Sequence, residues 1–293
     1  MGFRTVIIKN RAKLECRLNY LVVRGETEKK IFLDEISTLI IESTAVSMTA
    51  ALIATLAENN VNVIFCDAKF NPVSEVIPYY GAHNTSKRYK EQFSWGQSEK
   101  EKLWQAIIRQ KITGQAALLK EKGFLTQSRM LEEYCLEVQA GDKTNREGHA
   151  AKVYFNCILG EGYSRKSGGF LNGCLNYGYT VILSTFNREI VSSGYLTQIG
   201  IWHDNEFNQF NLSCDLMEPF RPIVDKRCLQ ITDGDAKFKT KLIDLLNANT
   251  VCEGKNTTLE IAIKTYVKSF FKAMKEKNVD QLIFPEKVLL TDE

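Results

Sequence analysis

Apolar and polar residues alternate in short segments over the first quarter of the chain. Residues 4–9, 13–17, 20–24 and 29–33 are alternating or β-branched, and Lys-Asn-Arg and Arg-Gly-Glu turn signals separate them, so each predicts a strand. Residues 36–42 continue the pattern. Residues 47–59 then place Ala and Leu at helical spacing and end at Asn59-Asn60, and residues 61–66 predict one more apolar strand. Turn chemistry at Asn71-Pro72 and across residues 78–86 breaks the pattern and marks a linker. Beyond it the period is helical, over roughly residues 86–95, 98–123, 127–139, 146–157, 169–188, 215–227, 235–248 and 258–277. Thr257-Thr-Leu-Glu260 has the spacing of a capping box for the last helix, along which Lys264, Lys268, Lys272 and Lys275 form a basic stripe. The expected class is α+β: a small β-rich N-terminal domain (1–80), a linker with a first helix (81–96), and a larger all-α domain (97–293).

A chain of 293 residues suffices for two domains, or one large one, with a hydrophobic core. A hydrophobic fraction of 44% and a charged fraction of 25% are those of an ordinary globular protein. No apolar run approaches the roughly 18–20 residues that span a bilayer, and the N-terminal segment reads as a strand rather than a secretory signal. Val6 stands where a myristoylation signal has Ser or Thr. The eight cysteines, at 16, 66, 135, 157, 174, 214, 228 and 252, contain no C-x-x-C pair, which argues against a zinc ribbon and a disulfide framework. Reduced, mostly buried thiols and a cytoplasmic location are expected. The net charge of +3 does not define a nucleic-acid partner. Local patches at Lys87-Arg88-Tyr-Lys90, Arg165-Lys166, Lys226-Arg227 and Lys237-Lys239-Lys241 suit one, although each alone reads equally well as solvated surface. Residues 160–169 are glycine-rich but lack both the Walker ending and G-x-G-x-x-G, and read as a mobile loop. There is no G-x-S-x-G elbow and no readable Cys–His pair.

The most informative chemistry lies in residues 203–225. His203, one of three histidines, precedes Asp215 and Glu218, and a helix there would put both carboxylates on one face about a turn apart. Imidazole with carboxylates suits Mg²⁺ or Mn²⁺. A further ligand is needed, and Glu147 in Arg146-Glu-Gly-His149-Ala-Ala-Lys152 is the candidate, with His149 turned elsewhere by the helix. Each residue also has a plainer reading. Glu147 suits a helix dipole, His203 a hydrogen-bonded residue in an aromatic turn, and Asp215 and Glu218 an acidic helix start capped by Ser213. His83 reads as a linker residue or phosphate contact.

The ordered strings Glu147-Gly-His-Ala-Ala-Lys-Val-Tyr-Phe and Gly200-Ile-Trp-His203 through Asp215-Leu-Met-Glu218-Pro-Phe-Arg-Pro resemble the CRISPR-associated adaptation integrases of the type II branch. Gly81-Ala-His83-Asn-Thr-Ser-Lys-Arg88 and the β-then-α order agree. The resemblance covers nearly the whole chain. It implies a metal-dependent endonuclease and integrase that joins the 3′-OH ends of short double-stranded DNA into the leader-proximal CRISPR repeat by transesterification. Glu147, His203 and Glu218 would then hold Mg²⁺ or Mn²⁺, with Asp215 completing the catalytic set as a further or supporting ligand. Arg146, Lys152 and Arg221 are expected phosphate contacts, and Lys87, Arg88 and Lys268 further DNA contacts. The roles of Asp215, Arg221 and Asp225 stay open. The implied assembly is a homodimer through the β-rich domain, bridged by a small ferredoxin-like adaptation protein. A ring-forming accessory protein and a guide-RNA effector nuclease are further partners, and no membrane is involved. His203 must be neutral to bind metal, so an ordinary pKa near 6.5 predicts activity falling below about pH 6. Two other classes remain: a non-catalytic DNA-binding assembly subunit using the basic helix, and a metal hydrolase acting on a small phosphorylated molecule.

Overall fold

Leu18 and Asn19 both adopt positive φ, 48° and 63°, and make a two-residue turn of the kind that matches the right-handed twist of paired strands. The hairpin they close belongs to the first of two units in the computed structural model, which describes residues 2, 4–79, 82–160 and 168–290. One unit comprises Met1–Thr85 with Asn187–Tyr195, the other Ser86–Phe186 with Leu196–Glu293.

In chain order the first unit contains β1 (Arg4–Ile8), β2 (Ala12–Arg17), β3 (Tyr20–Arg24), β4 (Glu28–Phe32), β5 (Ile36–Ile41), β6 (Val46–Met48), α1 (Ala50–Glu58), β7 (Asn62–Cys66) and β8 (Pro72–Val76). Two four-stranded sheets result, ordered β1-β5-β7-β8 and β4-β3-β2-β6. β5 runs parallel to both neighbours and all six of its residues are buried, which suits its mostly apolar sequence, Ser37 and Thr38 excepted. Leu52 and Leu56 of α1 pack with Leu14, Leu21, Leu39 and Val63 in one core. Two expectations need correction. The helix expected from Ser47 begins at Ala50, because Val46–Met48 pair with β2 and Thr49 caps the helix by accepting from the Leu52 amide. Pro72, read as a break, opens β8 on the sheet edge, where a residue without N–H is tolerated.

The second unit is built on α2 (Thr85–Phe93), α3 (Gln97–Glu121), α4 (Leu125–Glu137), α5 (Arg146–Leu159), α6 (Phe170–Ser192), α7 (Asn211–Met217), α8 (Arg221–Gln230), α9 (Phe238–Ile243) and α10 (Leu259–Glu276). The last residues of α6, from Asn187, belong to the first unit. α3 packs against α4, α5, α8 and a 3-10 turn at Glu218–Phe220. The α+β class holds, but the larger domain is not strictly all-α. Strands β9 (Asn249–Cys252), β10 (Lys255–Thr258) and β11 (Lys287–Leu289) form an antiparallel sheet ordered β10-β9-β11. At three or four residues each they are too short for an alternation signal. Thr258, not Thr257, caps α10. The helix expected over 215–227 begins earlier and is interrupted by the 3-10 turn at Pro219, and Ser213 lies buried inside α7 rather than capping it. The helix expected over 235–248 is α9 followed by a 3-10 turn at Asp244–Asn247.

All eight cysteines are free; Cys66, Cys174, Cys228 and Cys252 are buried and the others partly so. Residues 161–167, with Arg165 and Lys166 and most of the glycine-rich stretch, lie outside the described residues, as does Gly81. Among the described residues no helix is long and apolar enough to cross a membrane.

Candidate active site

Three segments of the second unit supply the site: the buried face of α3, the first turn of α5, and residues 200–221. Asp142 shapes the start of α5. Its carboxylate accepts from the backbone amides of Arg146 at 2.8 Å and Glu147 at 3.0 Å, and the Asn145 side chain accepts from the Gly148 amide at 3.3 Å. The helix start is thus satisfied without Glu147, whose carboxylate turns to Lys111 Nζ at 2.6 Å. Asp142 caps the helix start from the 3-10 turn that precedes it.

Asp215, fully buried on α7, organises the loop before it. Its Oδ2 accepts from the amides of Ile201 at 2.7 Å and Trp202 at 3.0 Å, and its Oδ1 from the His203 amide at 3.0 Å. The His203 ring completes the set, with Nδ1 2.6 Å from Asp215 Oδ1. Gly200 is required by this crowding, since a Cβ there would fall 2.6 Å from Asp215 Oδ2. With Nδ1–H on the carboxylate, the imidazole presents the Nε2 lone pair. The ring meets Trp104 edge-on, and Trp104 also stacks on Trp202.

Glu218, 3% exposed, carries two cations. Arg221 Nε donates to Oε1 at 2.8 Å, and Lys111 Nζ lies 2.5 Å from Oε2 and bridges to Glu147. Arg221 also lies over the Tyr179 ring, 4.7 Å from its centroid. Behind it, the buried Asp225 carboxylate accepts from the hydroxyls of Tyr154, at 2.8 Å, and Tyr179.

The charges tune one another. Burial alone would push the Glu218 carboxyl up, but Lys111 and Arg221 more than cancel it and hold the group at about 2. Burial opposes the charge on Lys111, and Glu218 with Glu147 outweighs it, so the ammonium is held above its ordinary value. The hydrogen bond to Asp215 raises His203, against burial, and the charges of Asp215, Glu218 and Glu147 add to the rise.

Of the expected residues, Glu147 and Glu218 meet on one cation, and His203 with Asp215 forms a dyad within electrostatic reach of both glutamates. The expected phosphate contacts are more varied. Arg221 is committed to Glu218 and Tyr179. Arg146 pairs with Glu137 at 2.8 Å and lies over Tyr134. Arg88 pairs with Glu91 at 2.9 Å, while Lys87, Lys152 and Lys268 are exposed. His149 faces Arg146 and Tyr134. Lys111 was missed. It lies on the same helical face as Trp104, Ile107, Ile108, Ile112 and Leu119, and a lysine on an apolar stripe is the signal that would have found it.

Among the described residues no three His, Cys, Asp or Glu side chains stand ready to hold one metal ion as arranged. The donor chemistry nevertheless fits a hard divalent cation. Glu147 and Glu218 offer carboxylate oxygens, both already turned to one cation, and His203 offers Nε2. Three carboxylates against Lys111 and Arg221 leave one negative charge when His203 is neutral.

Comparison with known proteins places the chain in a family. The chain is 33% identical to the CRISPR-associated endonuclease Cas1 of Neisseria meningitidis over 294 residues, covering 98% of this chain and 97% of that protein. Its fold superposes on a casposase bound to integration product, with a TM-score of 0.75 at 18% identity, covering 94% of this chain and 92% of the other. It also superposes on a chain of a Cas6-RT-Cas1–Cas2 complex, with a TM-score of 0.73 at 18% identity, covering all of this chain and 36% of that one. The family described as CRISPR associated protein Cas1 matches residues 5–241, and the chain belongs to it.

Proposed function

We propose that the chain is a divalent-metal-dependent DNA endonuclease and integrase that joins 3′-OH ends of short double-stranded DNA into a CRISPR repeat. The observation that carries this reading is the meeting of Glu147 and Glu218 on one buried cation beside the His203–Asp215 dyad. Glu147, Glu218 and His203 Nε2 would hold Mg²⁺ or Mn²⁺. A bound ion there supplies the positive charge that activates a 3′-hydroxyl or water and offsets charge on the crowded phosphate. Asp215 fixes the tautomer and direction of His203 and anchors residues 201–203 to α7. Arg221 keeps Glu218 ionised and oriented, and Tyr179 beneath its guanidinium, tied to Asp225, restricts its movement. The casposase relative, bound to integration product, supports DNA joining, and the relative in a complex with Cas2 supports a small partner of that type. The homodimer, the ring-forming accessory protein and the effector nuclease rest on the sequence resemblance.

The test is a joining assay with Mn²⁺, labelled 3′-OH duplex and a supercoiled plasmid bearing a repeat array, with and without the small partner. Joined product is expected, reduced on the order of a hundredfold or more in Glu147→Ala, His203→Ala and Glu218→Ala, with DNA binding retained. Parental joining by those variants sinks the assigned site. No joining despite tight, salt-sensitive DNA binding turns the reading to an assembly subunit.

A further inference from the structure

Lys111 is a charged side chain on the buried face of α3. Apart from Gln115 its buried helix face is apolar, with Trp104, Ile107, Ile108, Ile112 and Leu119 fully buried, and an ammonium taken out of water there needs close acidic partners. What it touches is acidic: Glu147 at 2.6 Å and Glu218 at 2.5 Å, contributed by two different elements. Glu218 already has Arg221, so a purely structural need for a counter-ion is half met without Lys111. The two carboxylates that share the ammonium are the same two that would ligate a divalent ion.

We propose that Lys111 is a resident counter-ion that occupies the cation position between Glu147 and Glu218 and must be displaced before a divalent ion can bind. This rests on the metal-dependent reading of the site and adds its regulation. A single ammonium satisfies the two carboxylates at rest and holds them in place. A divalent ion brings twice the charge and direct oxygen coordination, but it enters against the cost of breaking two buried ion pairs and relocating Lys111. The protein is therefore expected to bind free Mn²⁺ weakly and to remain folded and quiescent without it.

The experiment measures Mn²⁺ affinity by electron paramagnetic resonance and calorimetry on the DNA-free full-length protein. Lys111→Met should bind one Mn²⁺ at least tenfold tighter than the parent, while Lys111→Arg, which keeps the charge, should stay near the parent. The site in each should vanish in combination with Glu218→Gln. Should Lys111→Met not fold, Lys111→Gln takes its place. A crystal structure of the parent soaked in Mn²⁺ gives a readout independent of any variant: Nζ should withdraw from at least one carboxylate. A Mn²⁺ site that is present in the parent but unchanged or weakened in Lys111→Met overturns the inference and leaves the metal site standing. A Mn²⁺-loaded parent in which both ion pairs persist does the same. No stoichiometric, Glu218-dependent Mn²⁺ in any form overturns both.

Discussion

Asp215 shows how one buried carboxylate can set the chemistry of a neighbouring ring. Three backbone amides and the His203 ring converge on its two oxygens, so the loop carrying the imidazole is held to α7 by charge-assisted hydrogen bonds. The same contact changes the pH at which His203 works. Its folded pKa lies above 6.5, so the charged ring stabilises the metal-free protein fully below that value, and this stabilisation is lost as pH rises through the folded value. Metal needs the opposite form, because only the neutral ring offers Nε2. The acid limb of Mn²⁺-dependent joining at a fixed, subsaturating Mn²⁺ concentration should therefore lie above pH 6.5, not at the value of about 6 that an ordinary histidine predicts. Rates measured from pH 5.5 to 8.5 decide it, and a midpoint at or below 6 contradicts the role given to Asp215. At this scale the sequence was informative for residues in a recognisable string, Glu147, His203, Asp215 and Glu218. It was silent on Lys111, and it singled out Asp225 without its partners Tyr154 and Tyr179. These are joined by contacts between helices distant in the chain, which no local spacing encodes.

The pairing of β8 and the end of α6 within the first unit buries a titratable group. Glu75 on β8 accepts from Asn187 Nδ2 at 2.5 Å, and burial, only partly opposed by that hydrogen bond, raises its carboxyl to about 7. A carboxyl whose folded pKa is raised binds more protons folded than unfolded between about 4.5 and 7, so stability falls as pH rises through that window. The loss should be on the order of 2 kcal/mol between pH 5 and pH 8, discounted for the partial exposure of the side chain. Urea unfolding at the two pH values measures it. Glu75→Gln should remove the difference and leave the protein more stable at pH 8; an equal pH dependence in parent and variant would assign it to other groups. β8 also shows why some elements were legible and others not. β1 to β5 and β7 are continuous alternating or apolar runs that the sequence declares directly. β8 starts at a proline and has no fully buried residue, so local chemistry argued for a turn and only the edge register against β7 makes it a strand. The short β6, β9, β10 and β11 depend on their partners in the same way.

Across the whole molecule, 38 basic and 35 acidic residues nearly balance, leaving a net charge of +3. A field that weak steers DNA poorly, so affinity for a phosphate backbone has to come from local arrays. α10 carries one: Lys268, Lys272 and Lys275 are exposed, whereas Lys264 is partly buried and has a partner. The opposite side of the same helix is core, with Tyr266, Val267 and Phe270 fully buried, so the stripe has a fixed backbone and need not order itself on binding. Many of the other cations are already committed to carboxylates, Arg146 to Glu137, Arg88 to Glu91 and Arg221 to Glu218, and release few counterions. If DNA lies along α10, each lysine that neutralises a phosphate adds about 0.9 to the slope of log K against log salt. Replacing Lys268, Lys272 and Lys275 with Gln should then reduce that slope by up to about 3 and weaken binding most at low salt. Replacing the exposed Lys102 and Lys120 of α3 and Lys122 just past its end removes the same total charge and should change the slope little. Equal slopes in the two triple variants would make the α10 stripe a solvated face and move the DNA path elsewhere on the protein.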